Sequence, residues 1–186
     1  LVRNPNVYLM DEPLSSLDAK LREELRIELK KIQKDLNATI LYVTHDHVEA
    51  TTMADRIGVL RDGVLSQVGS PEEIYDEPNS IYVANRLGSP KINIIDINKM
   101  KNPKNSIAQY AGIRPEDISI TSRGKYEVFI ETVELLGAET VISFRSDYFN
   151  GVLLTQTSDT FEEGKKININ LNDNKILYFD NNGMRI

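Results

Sequence analysis

The chain has no cysteine, which excludes disulfide bridges and thiolate metal sites and fits a reducing compartment. No apolar run approaches the roughly 18 residues that a membrane-spanning helix needs, and the opening residues do not read as a secretory signal. Any association with a membrane is therefore expected to run through a protein partner or a surface. Basic clusters long enough to follow a phosphate backbone are missing too: Lys and Arg number 22 against 28 Asp and Glu, a formal charge of -6. Nucleic acid is not an expected partner. No repeat of fixed period occurs. What remains is 186 residues, 40% hydrophobic and 27% charged, an ordinary globular composition with room for one large domain or two small ones.

One stretch organises the rest: Val7-Tyr8-Leu9-Met10-Asp11-Glu12-Pro13. Four bulky apolar residues predict a strand buried on both faces, and two carboxylates follow where it ends. Inside a sheet an ionised carboxylate loses its water at high cost, so these acids belong at the strand's carboxyl end, where open α/β sheets bind ligands. From there Asp11 has the reach to hold Mg2+ through the ion's waters. Glu12, on the other side of the pleat, can accept a proton from a water attacking a phosphate. Pro13 disfavours a helical Glu12 and forces a turn. Asp-Glu taken alone leaves open a plain strand end with two solvated acids.

The opening Leu1 to Asn6 reads as the tail of a helix running into a turn, so the chain is expected to begin partway through a larger domain. Leu21, Leu25, Leu29, Ile32 and Leu36 fall at helical period, one apolar stripe to be held by packing on the sheet; Ser16 or Asp18 can cap its start and Asn37 suits its end. Ile40 to Val43 is a second apolar strand, ending in Thr44-His45-Asp46. Strand, helix, strand makes a parallel βαβ unit with both polar ends at one edge, which brings Glu12 and His45 together. Asp46 to Ala54 predicts a short helix capped by Asp46, with Glu49 at the capping-box position. A hairpin follows across Asp62-Gly63, then a helix opened by Ser70-Pro71 and another from about Ser80 to Leu87. Gly88-Ser89-Pro90 marks the expected domain boundary. Beyond it, short β-rich runs near 93–97, 118–121, 126–136, 140–145, 152–156, 167–171 and 175–179 predict a small barrel or sandwich, with a solvated loop at 98–105.

Taken together, Tyr8-Leu9-Met10-Asp11-Glu12-Pro13, Leu14-Ser15-Ser16-Leu17-Asp18 and Thr44-His45-Asp46 closely resemble the Walker B, D-loop and switch-histidine segments of ABC transporter ATP-binding subunits. Gly88-Ser89-Pro90 with Asn93, Gly112-Ile113-Arg114-Pro115-Glu116-Asp117, and Phe179-Asp180 with Gly183 look like the regulatory domain of the maltose and multiple-sugar importer type; glycerol-phosphate importers share the pattern and polyamine or iron importers come close to it. The resemblance implies a partial α/β P-loop ATPase domain at 1–87 and an all-β OB-like (TOBE) regulatory domain at 88–186. It implies ATP and Mg2+ as cofactors, with Asp11 supporting the metal, Glu12 orienting or deprotonating the attacking water, and His45 hydrogen-bonding the γ-phosphate. Ser16 and Asp18 would face a second ATPase subunit. Membrane-embedded permease subunits at the cytoplasmic face of the membrane, and a cytosolic regulator on the OB-like domain, are the further partners implied. His47 stands where the family usually has Gln, and the stretch from Asn93 to Gly112 is abbreviated. The family's phosphate-binding loop and Leu-Ser-Gly-Gly-Gln signature do not occur in the 186 residues, so the chain by itself is expected to be inactive. A non-catalytic dimerisation or regulatory module is the alternative left open.

Overall fold

The computed structural model describes residues 7–105, 107–156 and 160–186; the helix tail expected at the opening of the chain lies outside them. The packing divides the chain into two compact units, Leu1–Ile74 and Tyr75–Ile186.

In the first unit, β1 (Val7–Asp11), α1 (Ala19–Asp35) and β2 (Thr39–Val43) form the expected unit, β1 and β2 pairing in parallel. Asp18 caps α1 by accepting from the Leu21 amide, while Asn37 takes a left-handed φ of 47° just past its end, the conformation that short polar side chains tolerate after a helix. α2 (His47–Met53) follows, then β3 (Ile57–Arg61) and β4 (Val64–Gly69) as a separate hairpin. Its turn has φ of 51° at Asp62 and 81° at Gly63, the pair of positive values that makes Asp-Gly the favoured two-residue hairpin loop. α3 (Pro71–Asp76) opens on a reciprocal capping box: the Glu73 amide donates to Ser70 Oγ at 3.1 Å and the Ser70 amide to Glu73 Oε2 at 2.8 Å.

Two expectations about burial are overturned. β1 is not covered on both faces: Val7, Leu9, Leu41 and Val43 are 49%, 76%, 61% and 50% exposed. No residue of α1 is buried either, so its leucine stripe is not held by a sheet. Both follow from one cause. β1 and β2 form a sheet of only two strands, too narrow a platform to cover a helix of 17 residues.

The second unit carries a large buried core inside the strands and a smaller apolar cluster around Ala84, Ile92, Leu177 and Phe179. α4 (Ile81–Ala84) is shorter than the helix expected to Leu87, and is capped by Ser80. β5 (Asn93–Asp96), β6 (Tyr110–Ile113), β7 (Ile118–Ile120), β8 (Tyr126–Leu135), β9 (Thr140–Arg145), β10 (Gly151–Thr155), β11 (Lys166–Leu171) and β12 (Leu177–Phe179) follow. Of these, β6 was not anticipated, since Ala-Gly interrupts its apolar run. Five strands in the order β10-β9-β8-β11-β7 make an antiparallel, nearly closed barrel, and β12-β6-β5 a second sheet. β8 shows why: Tyr126, Val128 and Ile130 point inward and are buried, while Glu127 and Glu131 point out. The rings of Tyr126 and Phe144 each meet Phe149 edge to face, at 5.3 and 5.7 Å, a preferred aromatic geometry. The segment 98–105 is less free than expected, because Met100 is buried and the Lys101 amide donates to the Tyr126 hydroxyl at 2.9 Å.

The motif residues of this half are architectural. Asn93, buried, donates through Nδ2 to Ile113 O and Val152 O and accepts from the Val152 amide, so one side chain joins the sheet to the barrel. Gly151 makes room for it, as a Cβ there would sit 2.6 Å from Asn93 Oδ1. Arg114, also buried, donates to Ala84 O, Leu87 O and Tyr75 O and stacks 3.9 Å above the Tyr75 ring. Burial pulls its pKa below the ordinary arginine value. Replacing Asn93 by Ala strands several buried backbone groups, and is expected to cost about 2–4 kcal/mol of the second unit's stability. Denaturant unfolding followed by circular dichroism measures it.

Candidate functional site

The parallel register sets Asp11 beside Val43, so the residues after each strand emerge together. The Glu12 amide continues the ladder for one more bond, donating to Val43 O at 2.8 Å. Glu12 then leaves the strand with φ of 43°, a left-handed conformation that costs a side-chain-bearing residue roughly 1–2 kcal/mol. The following turn holds it there: the Ser15 amide and Oγ both donate to Glu12 O, at 3.2 and 2.9 Å. The result is a carboxylate turned toward the neighbouring loop, with Glu12 Oε1 3.0 Å from His45 Nδ1. Both side chains stay open to solvent, at 44% and 73% exposure.

The loop around His45 is pinned on both sides. The Thr44 hydroxyl donates to Glu49 Oε2 at 2.8 Å and accepts from the Asp46 amide at 3.0 Å. Asp46 Oδ1 caps α2 by accepting from the Val48 and Glu49 amides. Burial works to raise the pKa of Asp46, but these amides, with His47 and Arg22, outweigh it and leave the carboxyl below its usual value. Glu49 is only 3% exposed. Its carboxylate does not reach back to the Asp46 amide as the capping box predicted; it takes the hydroxyls of Thr44 and, at 2.9 Å, Tyr42. Burial, then that bond, pushes the Tyr42 hydroxyl well above its ordinary pKa.

Of the residues singled out in the sequence, Glu12 and His45 meet directly, and Asp11 is the last residue of β1 beside them. Asp11 has no hydrogen-bond or ion-pair partner among the described residues. Asp18 is occupied as the cap of α1, and Ser16 lies exposed on the turn between. Arg22 was not foreseen, and Glu49 only as a capping-box residue, because a charged residue in a polar helix carries no sign in the sequence that it is enclosed. His47 stands at the first turn of α2, its carbonyl accepting from Thr51 Oγ1. Among the described residues no cluster of three metal-ligating side chains forms, and no helix is long and apolar enough to cross a membrane.

The hydrogen bond from His45 to Glu12, followed by their charge attraction, raises the His45 pKa above 6.5. The folded state thus gains from the protonated pair below that pH and loses the gain as pH rises through the folded midpoint. An NMR titration of the imidazole is expected to show a midpoint above 6.5, falling back toward it in Glu12→Ala.

No family model matches the chain. Individual proteins do. A trehalose/maltose import ATP-binding protein of Thermococcus litoralis is 37% identical, covering 97% of this chain and 57% of its own length. An sn-glycerol-3-phosphate import ATP-binding protein of Psychromonas ingrahamii is 44% identical over 76% of this chain and 42% of its own. Another, from Rhizobium johnstonii, is 38% identical over 90% of this chain and 51% of its own. The chain spans about half the length of the curated relatives it matches. With a parallel strand pair ending in Asp-Glu and Thr-His-Asp, followed by a nearly closed OB-like barrel, it is a homologue, over most of its length, of the ATP-binding subunits of ABC importers.

Proposed function

We propose that the chain is the part of an ATP-hydrolysing importer subunit that carries the catalytic base and its histidine, residues 1–87, followed by the OB-like regulatory domain, 88–186. The observation that carries this is the Glu12–His45 contact at the carboxyl edge of a parallel strand pair, in a homologue of import ATP-binding proteins. Asp11 is the carboxylate at that edge that makes no hydrogen bond or ion pair among the described residues. One such oxygen donor is what Mg2+ commonly takes when it keeps its waters and adds substrate phosphates, so the donor set fits that ion. Bound ATP supplies the phosphoanhydride to be cleaved. Glu12 orients the attacking water and takes its proton, work that typically contributes ~10² to 10⁴ in rate. His45, with Nδ1 turned to Glu12, keeps Nε2 for an oxygen of the γ-phosphate.

Ser16 and Asp18 lie on the loop that faces a second ATPase subunit, with nucleotide closed between the pair. The pair docks peripherally on permease subunits at the cytoplasmic face of the membrane, and the OB-like domain takes its twin or a cytosolic regulator. A sugar is the transported class we favour, supported by the trehalose/maltose relative, whose match reaches 97% of the chain. Glycerol 3-phosphate is the second reading, favoured by the higher identity of 44% across 76% of it.

In the complete subunit assembled with its permease, Glu12→Gln is expected to lower Mg-ATP turnover by ~10² to 10⁴ while nucleotide binding persists. Unchanged turnover overturns the assignment. Stimulation of that turnover by maltose-type sugars or by glycerol 3-phosphate decides the solute class.

A further inference from the structure

We infer that Arg22 is a positioning residue for the Glu12–His45 pair, tying the turn that follows Glu12 to the loop that carries His45. The inference rests on the ATPase reading above.

Arg22 stands in the first turn of α1, whose start is fixed by the Asp18 cap. Its guanidinium reaches in two directions. Nη2 donates to Leu17 O at 2.9 Å, at the end of the turn; Nη1 lies 3.5 Å from Asp46 Oδ2. The two oxygens of Asp46 divide the work, Oδ1 capping α2 and Oδ2 facing Arg22. The turn is held at its other end by Ser15 on Glu12 O. The contacts therefore close a circuit: Glu12 to His45, along the backbone to Asp46, across to Arg22, down to Leu17, and back through the turn to Glu12.

Stability does not explain the arginine. Its pair with Asp46 is long and partly exposed, at 32% and 26% of the side chains, the kind of ion pair that contributes little. Its Nε is buried with no partner among the described residues, a cost that an apolar side chain filling the same space would not carry. What the fork supplies is direction: a planar group that fixes two loops relative to each other.

The test measures ATP turnover by the complete subunit assembled with its permease, in Arg22→Met, Asp46→Asn and the double variant, with Glu12→Gln alongside. Asn at position 46 keeps an oxygen to cap α2 and replaces the charged oxygen that faces Arg22 with an amide nitrogen that cannot accept from it. Each single variant is expected to lower kcat roughly ten- to a hundredfold, the scale of a small misplacement of a reacting group, with KM for Mg-ATP unchanged. The double variant is expected to be no slower than either single one. Wild-type kcat in the single variants, or a rise in KM alone, overturns the clamp while leaving the role of Glu12 in place. Full turnover in Glu12→Gln removes the ATPase reading and the clamp with it. If Arg22→Met does not fold, the kcat of Asp46→Asn decides between these outcomes. A second readout, on the chain as it stands, separates position from charge: deleting a cation alone raises the His45 titration midpoint, whereas loosening its contact with Glu12 lowers it. A lower midpoint in Arg22→Met is expected, and an unchanged or higher one counts against the proposal.

Discussion

The parallel pairing of β1 with β2 is the constraint from which the candidate site follows. With Asp11 in register with Val43, the residues beyond the two strands leave the sheet at one edge, side by side. A helix of the length of α1 is what returns the chain for such pairing, since parallel strands cannot be joined by a tight turn. The site is thus a property of connectivity, and its chemistry depends on which residues stand at and just past the end of each strand. Here those are two acids on one side and a hydroxyl, an imidazole and an acid on the other.

Two local features then aim the groups. Glu12 adopts a left-handed backbone held by Ser15 and Val43, and unusual backbone of this kind persists only where its surroundings over-determine it. On the facing loop, a buried carboxylate does the holding. Glu49 accepts two hydroxyls, and through Thr44 fixes the residues on either side of His45. The imidazole itself is left open to solvent. Rigid neighbours around an exposed side chain are the ordinary construction of a preorganised site.

The barrel half uses its polar residues differently. Asn93 and Arg114 are enclosed and donate to backbone carbonyls of neighbouring elements. Their place in the family pattern reflects architecture: one amide joins sheet to barrel, and one guanidinium closes the end of α4. Within this half the apolar alternation of β8 and β9 faces a filled interior, whereas the first unit leaves Leu9 and Leu41 open. The same residue types have opposite fates because a barrel encloses what a two-stranded sheet cannot.

Much of this was legible from residue order. Periodicity located α1, β-rich runs located β5 and the strands from β7 to β12, and residue type marked the N-caps of α2 and α3; Asp62-Gly63 specified a hairpin; and the strand-helix-strand order required Glu12 and His45 to share an edge. Each of these is set by interactions within a few residues or by the handedness of the chain. Burial was not legible. The sequence reads β1 as enclosed and Glu49 as a capping-box residue; instead β1 is open and Glu49 is buried, because burial depends on which elements come to lie across a face and a single strand carries no record of them. β6 was missed for the same reason, its Ala-Gly acquiring strand form only between β5 and β12. The sequence by itself determined the local elements and the identity of the acids and the histidine. Only the tertiary structure decided that Glu49 would be buried beneath the histidine loop and Arg22 would bridge to it, since both contacts join segments whose separation in space is settled by packing.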